Sequence, residues 1–284
     1  MESISLKQRL LTAPVTKIIL CIVVCFAVFV LSQQLTTIIL DLTSIDRNFR
    51  NLFKAIISSV SVLYTYTLFY KIIEKRAITE LSTKHLARNV FFGVLIGVVL
   101  QCLTILVVSL FGDFKILAVN PFSYMIIPFT VAFTVAIFEE ILMRGIIFRI
   151  AEQKLGIYIA LFISAMLFGL FHIVNPGSTF ISGLCVVAAG FLFGVAYIYT
   201  RNLWFPIAIH FSWNFMQSGV FGVVTSGNEN TSSLLTTELS GNTLITGGGF
   251  GTEASLQTLL LYLTATLLLL LLSRNKLIKP YWVK

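Results

Sequence analysis

Charge is what this sequence has least of. Asp, Glu, Lys and Arg make up only 11% of its residues, against 57% hydrophobic, whereas soluble domains carry about 25% charged residues. No water-soluble globule of 284 residues can hide that much apolar surface, so soluble fold classes are excluded. Histidine is scarce too: there are three, so the position of each is informative. There is no CxxC pair. Cys21, Cys25, Cys102 and Cys185 each lie inside an apolar run, where a thiol behaves as a small hydrophobe, and neither a disulfide nor a cysteine metal site is expected. No fixed-period repeat is visible, which removes solenoids and speaks against an inverted-repeat transporter. The net charge of +8 is not a nucleic-acid signature. The basic residues sit in short clusters between apolar runs, which is the pattern of membrane topology.

What the chain does have is long apolar runs. A spanning helix needs about 20 mostly apolar residues, and eight stretches qualify: 15–40, 52–73, 87–111, 122–150, 157–174, 179–200, 203–224 and 255–273. The expectation is an all-α, polytopic transmembrane helix bundle of about eight spans, with residues 1–284 forming a single integral-membrane domain in the cell membrane. Lys7, Arg9 and Lys17 before the first run suggest a signal peptide. That run is too long for one and is followed by no clean cleavage site, so a retained span is expected.

Loop charges indicate the orientation. Lys71, Lys75, Arg76, Lys84 and Arg88 fall between the second and third runs, Arg149 and Lys154 after the fourth, and Arg201 after the sixth. Arg274, Lys276, Lys279 and Lys284 follow the last. With eight spans all of these share a side with the N-terminus. The loop 225–254 on the other side holds Glu229, Glu238 and Glu253 and no Lys or Arg. Both termini are therefore expected in the cytoplasm, with Arg47 and Arg50 as exceptions. The 225–254 loop is rich in Gly, Ser, Thr and Asn, and ends in TGGGFGTEAS. Two readings stand for it: a disordered external loop, or a segment folded back over the protein's interior.

Three runs carry groups that cost several kcal/mol at bilayer depth unless paired, buried or functional. The fourth contains Glu139, Glu140 and Arg144. Glu140 and Arg144, four apart, share a helix face and can pair. Glu139 points about 100° away and has no charge partner in its own helix, which leaves it free to act as a general base; the plain alternative is an ion-pair cluster that locks helices together. The fifth run ends in Phe168-Gly-Leu-Phe-His172, before the turn Asn175-Pro176-Gly177. A single His at a helix end is more often simply hydrogen-bonded to a neighbour. The seventh carries His210 and Asn214 on one face, suited either to metal ligation or to donating hydrogen bonds to an oxyanion. Only His85 lies outside these runs. The buried groups need one another, and one shared interior site would satisfy them all.

In sequence, Glu139-Glu140-x-x-x-Arg144, Phe168-x-x-x-His172 and His210-x-x-x-Asn214 resemble the motifs of the CAAX protease and bacteriocin-processing family, also called the abortive-infection family. The resemblance covers roughly residues 120–220, and TGGGFGTEAS is similar to a segment after the last motif in some members. It implies an integral-membrane endopeptidase in which Glu139 activates water with the help of His172. His210 and Asn214 would form the oxyanion site, with Glu140 and Arg144 orienting the constellation. A metal-free glutamate mechanism is expected; the alternative is zinc held by Glu139, His172 and His210. The expected partners are the lipid bilayer and a membrane-bound or lipidated protein or peptide substrate, with no nucleic acid. The competing readings are an inactive membrane scaffold or regulator of the same fold, and a proton-coupled transporter.

One geometric tension accompanies the single-site expectation. Straight, upright helices place Glu139 and His172 about 25 Å from the turn at Gly156, but His210 only about 10 Å from its own end on that side. Tilt, a break at Pro206, or a re-entrant turn at Asn175–Thr179 would have to close that gap.

Overall fold

The computed structural model describes residues 13–229 and 232–278. Lys7, Arg9, Lys279 and Lys284, and the side chain of Lys276, lie outside the described residues. The chain is a helical bundle. Its first three helices are α1 (Pro14–Asp41), α2 (Arg47–Ile73) and α3 (Leu86–Phe111). A 3-10 turn at Phe122–Met125 leads into α4 (Ile126–Glu140). A π-helical segment, Ile141–Phe148, joins α4 without a break to α5 (Arg149–Leu155). Then follow α6 (Ile157–His172), α7 (Phe180–Thr200), α8 (Trp204–Phe215) with a π turn at Met216–Val220, the short α9 (Thr243–Thr246), and α10 (Leu256–Ile278).

Among the described residues six helical stretches are long and apolar enough to cross a membrane: Pro14–Asp41, Arg47–Ile73, Leu86–Phe111, Phe122–Leu155, Phe180–Thr200 and Leu256–Arg274. The other two expected spans are shorter. α6 has 16 residues, about 24 Å, less than the roughly 30 Å of hydrocarbon, because the Asn175–Pro176–Gly177 turn stops it. The expected 203–224 run is α8 plus its π turn and ends at Val220. Length alone thus yields six spans rather than eight.

The bundle is arranged for lipid. Phe91 and Leu110 are 63% and 66% exposed, a pattern that would aggregate in water. α7 is the most buried of the spans and α1 the least. Ala188, Ala189, Gly190, Gly194 and Ala196 give α7 a slim surface on which α6 and α10 pack. α3 packs along α8 with similar intimacy. At Gly97 a Cβ would sit 2.1 Å from the Ser212 Oγ, so only glycine permits that approach. All four cysteines are free thiols.

Two features depart from the sequence reading. The first is a small antiparallel sheet, β1 (Asp113–Val119) with β2 (Leu235–Ser240), running from Asp113 opposite Ser240 to Val119 opposite Leu235, with an irregularity between Ile116 and Ala118. β2 anchors the 225–254 segment, which folds back onto the bundle and buries Phe250. Of the two readings of this loop, folding back is the one observed.

The second is at the opposite end, where Arg76, Arg149 and Arg201, read as topological charges, are engaged in ion pairs. Arg149 and Arg76 bind Glu74 at 3.0 and 3.1 Å, Arg76 also binds Glu80, and Arg201 binds Glu152 at 2.8 Å. Lys17 of α1 reaches Glu74 at 3.6 Å. Burial pushes the Glu80 carboxyl up, but Arg76 and the Tyr66 hydroxyl more than offset this and hold it below the usual carboxylate range. The Leu203 N–H donates to the Glu80 carbonyl and the Asn202 amide to the Ser82 carbonyl. These bonds tie the α2–α3 connection to the start of α8.

Candidate active site

Glu140 and Arg144 are both fully buried, and the Arg144 Nη1 donates to the Glu140 Oε1 at 2.8 Å. Arg144 also donates through Nη2 to the Gly190 carbonyl of α7 at 2.8 Å, and its guanidinium lies 4.9 Å from the centre of the Phe168 ring. One guanidinium thus links α4, α6 and α7. A buried pair of this kind is costly to break, about 3–5 kcal/mol when one partner is removed.

His210 of α8 places its Nδ1 3.1 Å from the same Glu140 oxygen. The acceptor is a carboxylate, so Nδ1 carries the proton. Nε2 then faces the Glu139 Oε2 at 3.9 Å. The Phe193 ring stacks on the imidazole at 4.7 Å and 14°. Tautomer and ring plane are therefore both fixed by neighbours. The tension over His210 is closed by direct proximity to both glutamates. Pro206 does not break α8; it lies in the first turn of a continuous helix.

Glu139 stands apart. It is a quarter exposed, at 26%, and its Oε2 has no hydrogen-bond partner. It lines a cavity of about 350 Å³ with His172, His210 and Asn214. His172 donates from Nδ1 to the Phe168 carbonyl at 2.8 Å, which leaves its Nε2 outside that bond. Asn214 presents its carboxamide to the same cavity one turn after His210. All four residues expected to take part in chemistry thus line one space, and Glu140 and Arg144 lie behind it.

The helix irregularities border this cavity. A π segment begins directly after Glu140, and such segments frequently mark functional positions. Carbonyls within it are met by side chains: Gly145 accepts from the Tyr66 hydroxyl at 3.1 Å and from the Arg149 Nε at 3.2 Å, and Met143 from the Ser164 hydroxyl at 3.2 Å. A second π turn follows Asn214, where the Ser218 hydroxyl donates to the Asn214 carbonyl at 2.8 Å.

Among the described residues no three His, Cys, Asp or Glu side chains gather closely enough to hold a metal ion. Glu139 and His210 are neighbours, but His172 does not complete a cage with them.

Several lining residues were not anticipated from the sequence. Ile127, Pro128, Val131 and Val135 form an apolar wall, and Asn175, Ser218, Thr225, Ser226 and Asn228 a polar one. The polar wall comes mostly from the folded-back segment, whose composition signalled only a loop. The cavity mouth lies at the sheet end of the bundle, away from the ion-paired end.

Residues 121–216, about a third of the chain, match the family described as Rce1-like, the type II CAAX prenyl endopeptidases. All three motifs lie inside the matched segment. That segment of this multi-pass membrane protein is similar to the CAAX prenyl endopeptidases, in agreement with the resemblance carried by the motifs. No curated protein and no solved structure matches the chain.

Proposed function

We propose that the chain is an endopeptidase that hydrolyses a peptide bond of a membrane-associated or lipidated substrate in this cavity, with residues 120–220 as its catalytic core. The observation that carries the reading is Glu139, a carboxylate whose Oε2 has no hydrogen-bond partner, at the wall of a cavity it shares with His172, His210 and Asn214. Glu139 takes a proton from a water molecule, and the free Nε2 of His172 helps hold that water. The hydroxide adds to the scissile carbonyl. The oxyanion accepts from the Asn214 amide and, when its ring is doubly protonated, from the His210 Nε2–H. Glu139 then passes its proton to the departing amine as the C–N bond breaks. Glu140 and Arg144 hold His210 in place throughout. No metal enters this sequence of steps.

The test compares the N- and C-termini of membrane proteins in cells expressing the wild type and Glu139→Ala. New termini that vanish in the variant support the reading and name the substrate. Identical termini, with both proteins folded and abundant, would leave the scaffold or transporter reading in its place.

The same reading puts both termini in the cytoplasm, because the basic residues collect at the ion-paired end. The cavity mouth then opens to the exterior. A membrane-impermeant maleimide should label Asn228→Cys in intact cells. Labelling only after lysis would reverse the orientation.

A further inference from the structure

Glu253 belongs to no motif, and in the sequence it is one of three acids in a polar loop. In the structure it lies on the short turn Thr252–Ala254, just ahead of α10, and is 7% exposed. Its Oε1 accepts the backbone N–H of Ser226. It borders a second, smaller space together with His172, His210 and Asn214. Burial pushes its carboxyl up, against the opposing pull of the Ser226 N–H and the nearby His172 ring.

The segment that Glu253 holds forms part of the cavity wall. Thr225, Ser226 and Asn228 all line it. Ser226 has φ of 49°, a left-handed conformation that a non-glycine residue keeps only when its surroundings enforce it. The enforcing bonds are few. The Asn175 amide donates to the Ser226 carbonyl at 3.0 Å, the Gly227 N–H to the Phe250 carbonyl at 2.9 Å, and the Gln217 amide to the Val224 carbonyl at 2.7 Å. Glu253 supplies the one carboxyl of the set. Next to it, Gly251 has φ of 106°, and a Cβ there would sit 1.9 Å from the Val224 carbonyl oxygen. The two backbones therefore touch at the latch.

We propose that Glu253 is a positioning residue of the catalytic cavity: its carboxylate latches the 225–228 turn into the cavity wall, where that turn and Asn175 guide the substrate backbone past Glu139. The guidance of substrate rests on the protease reading. The latch itself does not, and it can be measured without any substrate.

The experiment is hydrogen exchange on the purified full-length protein in detergent, following peptides that contain residues 224–228, for the wild type, Glu253→Gln and Glu253→Ala. The wild type should exchange slowly. Glu253→Ala should speed exchange there on the order of tenfold or more, since it removes the buried acceptor of the Ser226 N–H. Glu253→Gln keeps an oxygen acceptor and should fall between. Peptides from α7 and α8 report whether the bundle is intact; if Glu253→Ala loses it, Glu253→Gln alone decides. Wild-type exchange at 224–228 in an intact variant overturns the latch. With a substrate in hand, Glu253→Ala should raise KM more than it lowers kcat, with Gln restoring most of the loss. An equal collapse of kcat in both variants at unchanged KM would put Glu253 in the chemistry and overturn the positioning role. Absence of Glu139-dependent cleavage sinks the protease reading, while the exchange result still judges the latch.

Discussion

Two clusters of glutamate, arginine and aromatic rings lie two to three helical turns apart along the α4–α5 helix. At the ion-paired end, Glu74, Glu80 and Glu152 each have an arginine within about 3 Å, and Arg149 lies 4.0 Å from the centre of the Tyr70 ring. Around the cavity, Glu140 and Arg144 form the same kind of pair over the Phe168 ring. Composition does not distinguish the clusters. The difference lies in one carboxylate, Glu139, which has no arginine or lysine partner among the described residues and lines the cavity. Burying an unpaired polar group costs free energy without adding to stability, so such a group persists where it is used. Paired charges hold the helices together, and the unpaired one is available for chemistry.

Each of three substitutions probes that contrast. Glu139→Ala should lower kcat by about 10²- to 10⁴-fold, the range lost with a general base, while the melting temperature stays level or rises, since a solitary carboxylate leaves the interior. A large drop in melting temperature would make Glu139 a structural group like the others. Arg149→Ala should do the opposite. Removing a buried ion-pair partner costs about 3 kcal/mol, seen as a melting temperature lower by several degrees, while kcat per folded molecule stays within about twofold. If turnover collapses in a folded Arg149 variant, the two clusters are not functionally separate. Asn214→Ala should cost about 10²-fold in kcat, as for loss of one oxyanion donor, with KM little changed. A KM effect alone would make Asn214 a binding contact.

The sequence disclosed the Glu140–Arg144 pair because both residues lie on one helix at a spacing that local geometry interprets. His210 was legible as a buried group in need of partners, though its distance from them was not. The sheet and the polar cavity wall were illegible for a different reason. β1 pairs with a strand more than a hundred residues away, and no local periodicity in Asp113–Val119 or Leu235–Ser240 announces that partner. Arg76, Arg149 and Arg201 count in the sequence only as orientation charges, because positive-inside counting ignores the acids among them. Glu74, Glu80 and Glu152 were on the page throughout, but pairing them requires knowing which helix ends meet. Glu253 escaped notice for the same reason: its partner is a backbone N–H 27 residues earlier in the chain.

The two-sided lining of the cavity bears on how a hydrolase inside a membrane obtains water. A space of about 350 Å³ is roomy enough for several waters, and the hydroxyls and amides of the folded-back segment line the same cavity as Glu139. A substrate entering along the apolar wall of α4 would displace only part of that supply. The nucleophile can therefore be replenished from one side of the cavity while the peptide occupies the other.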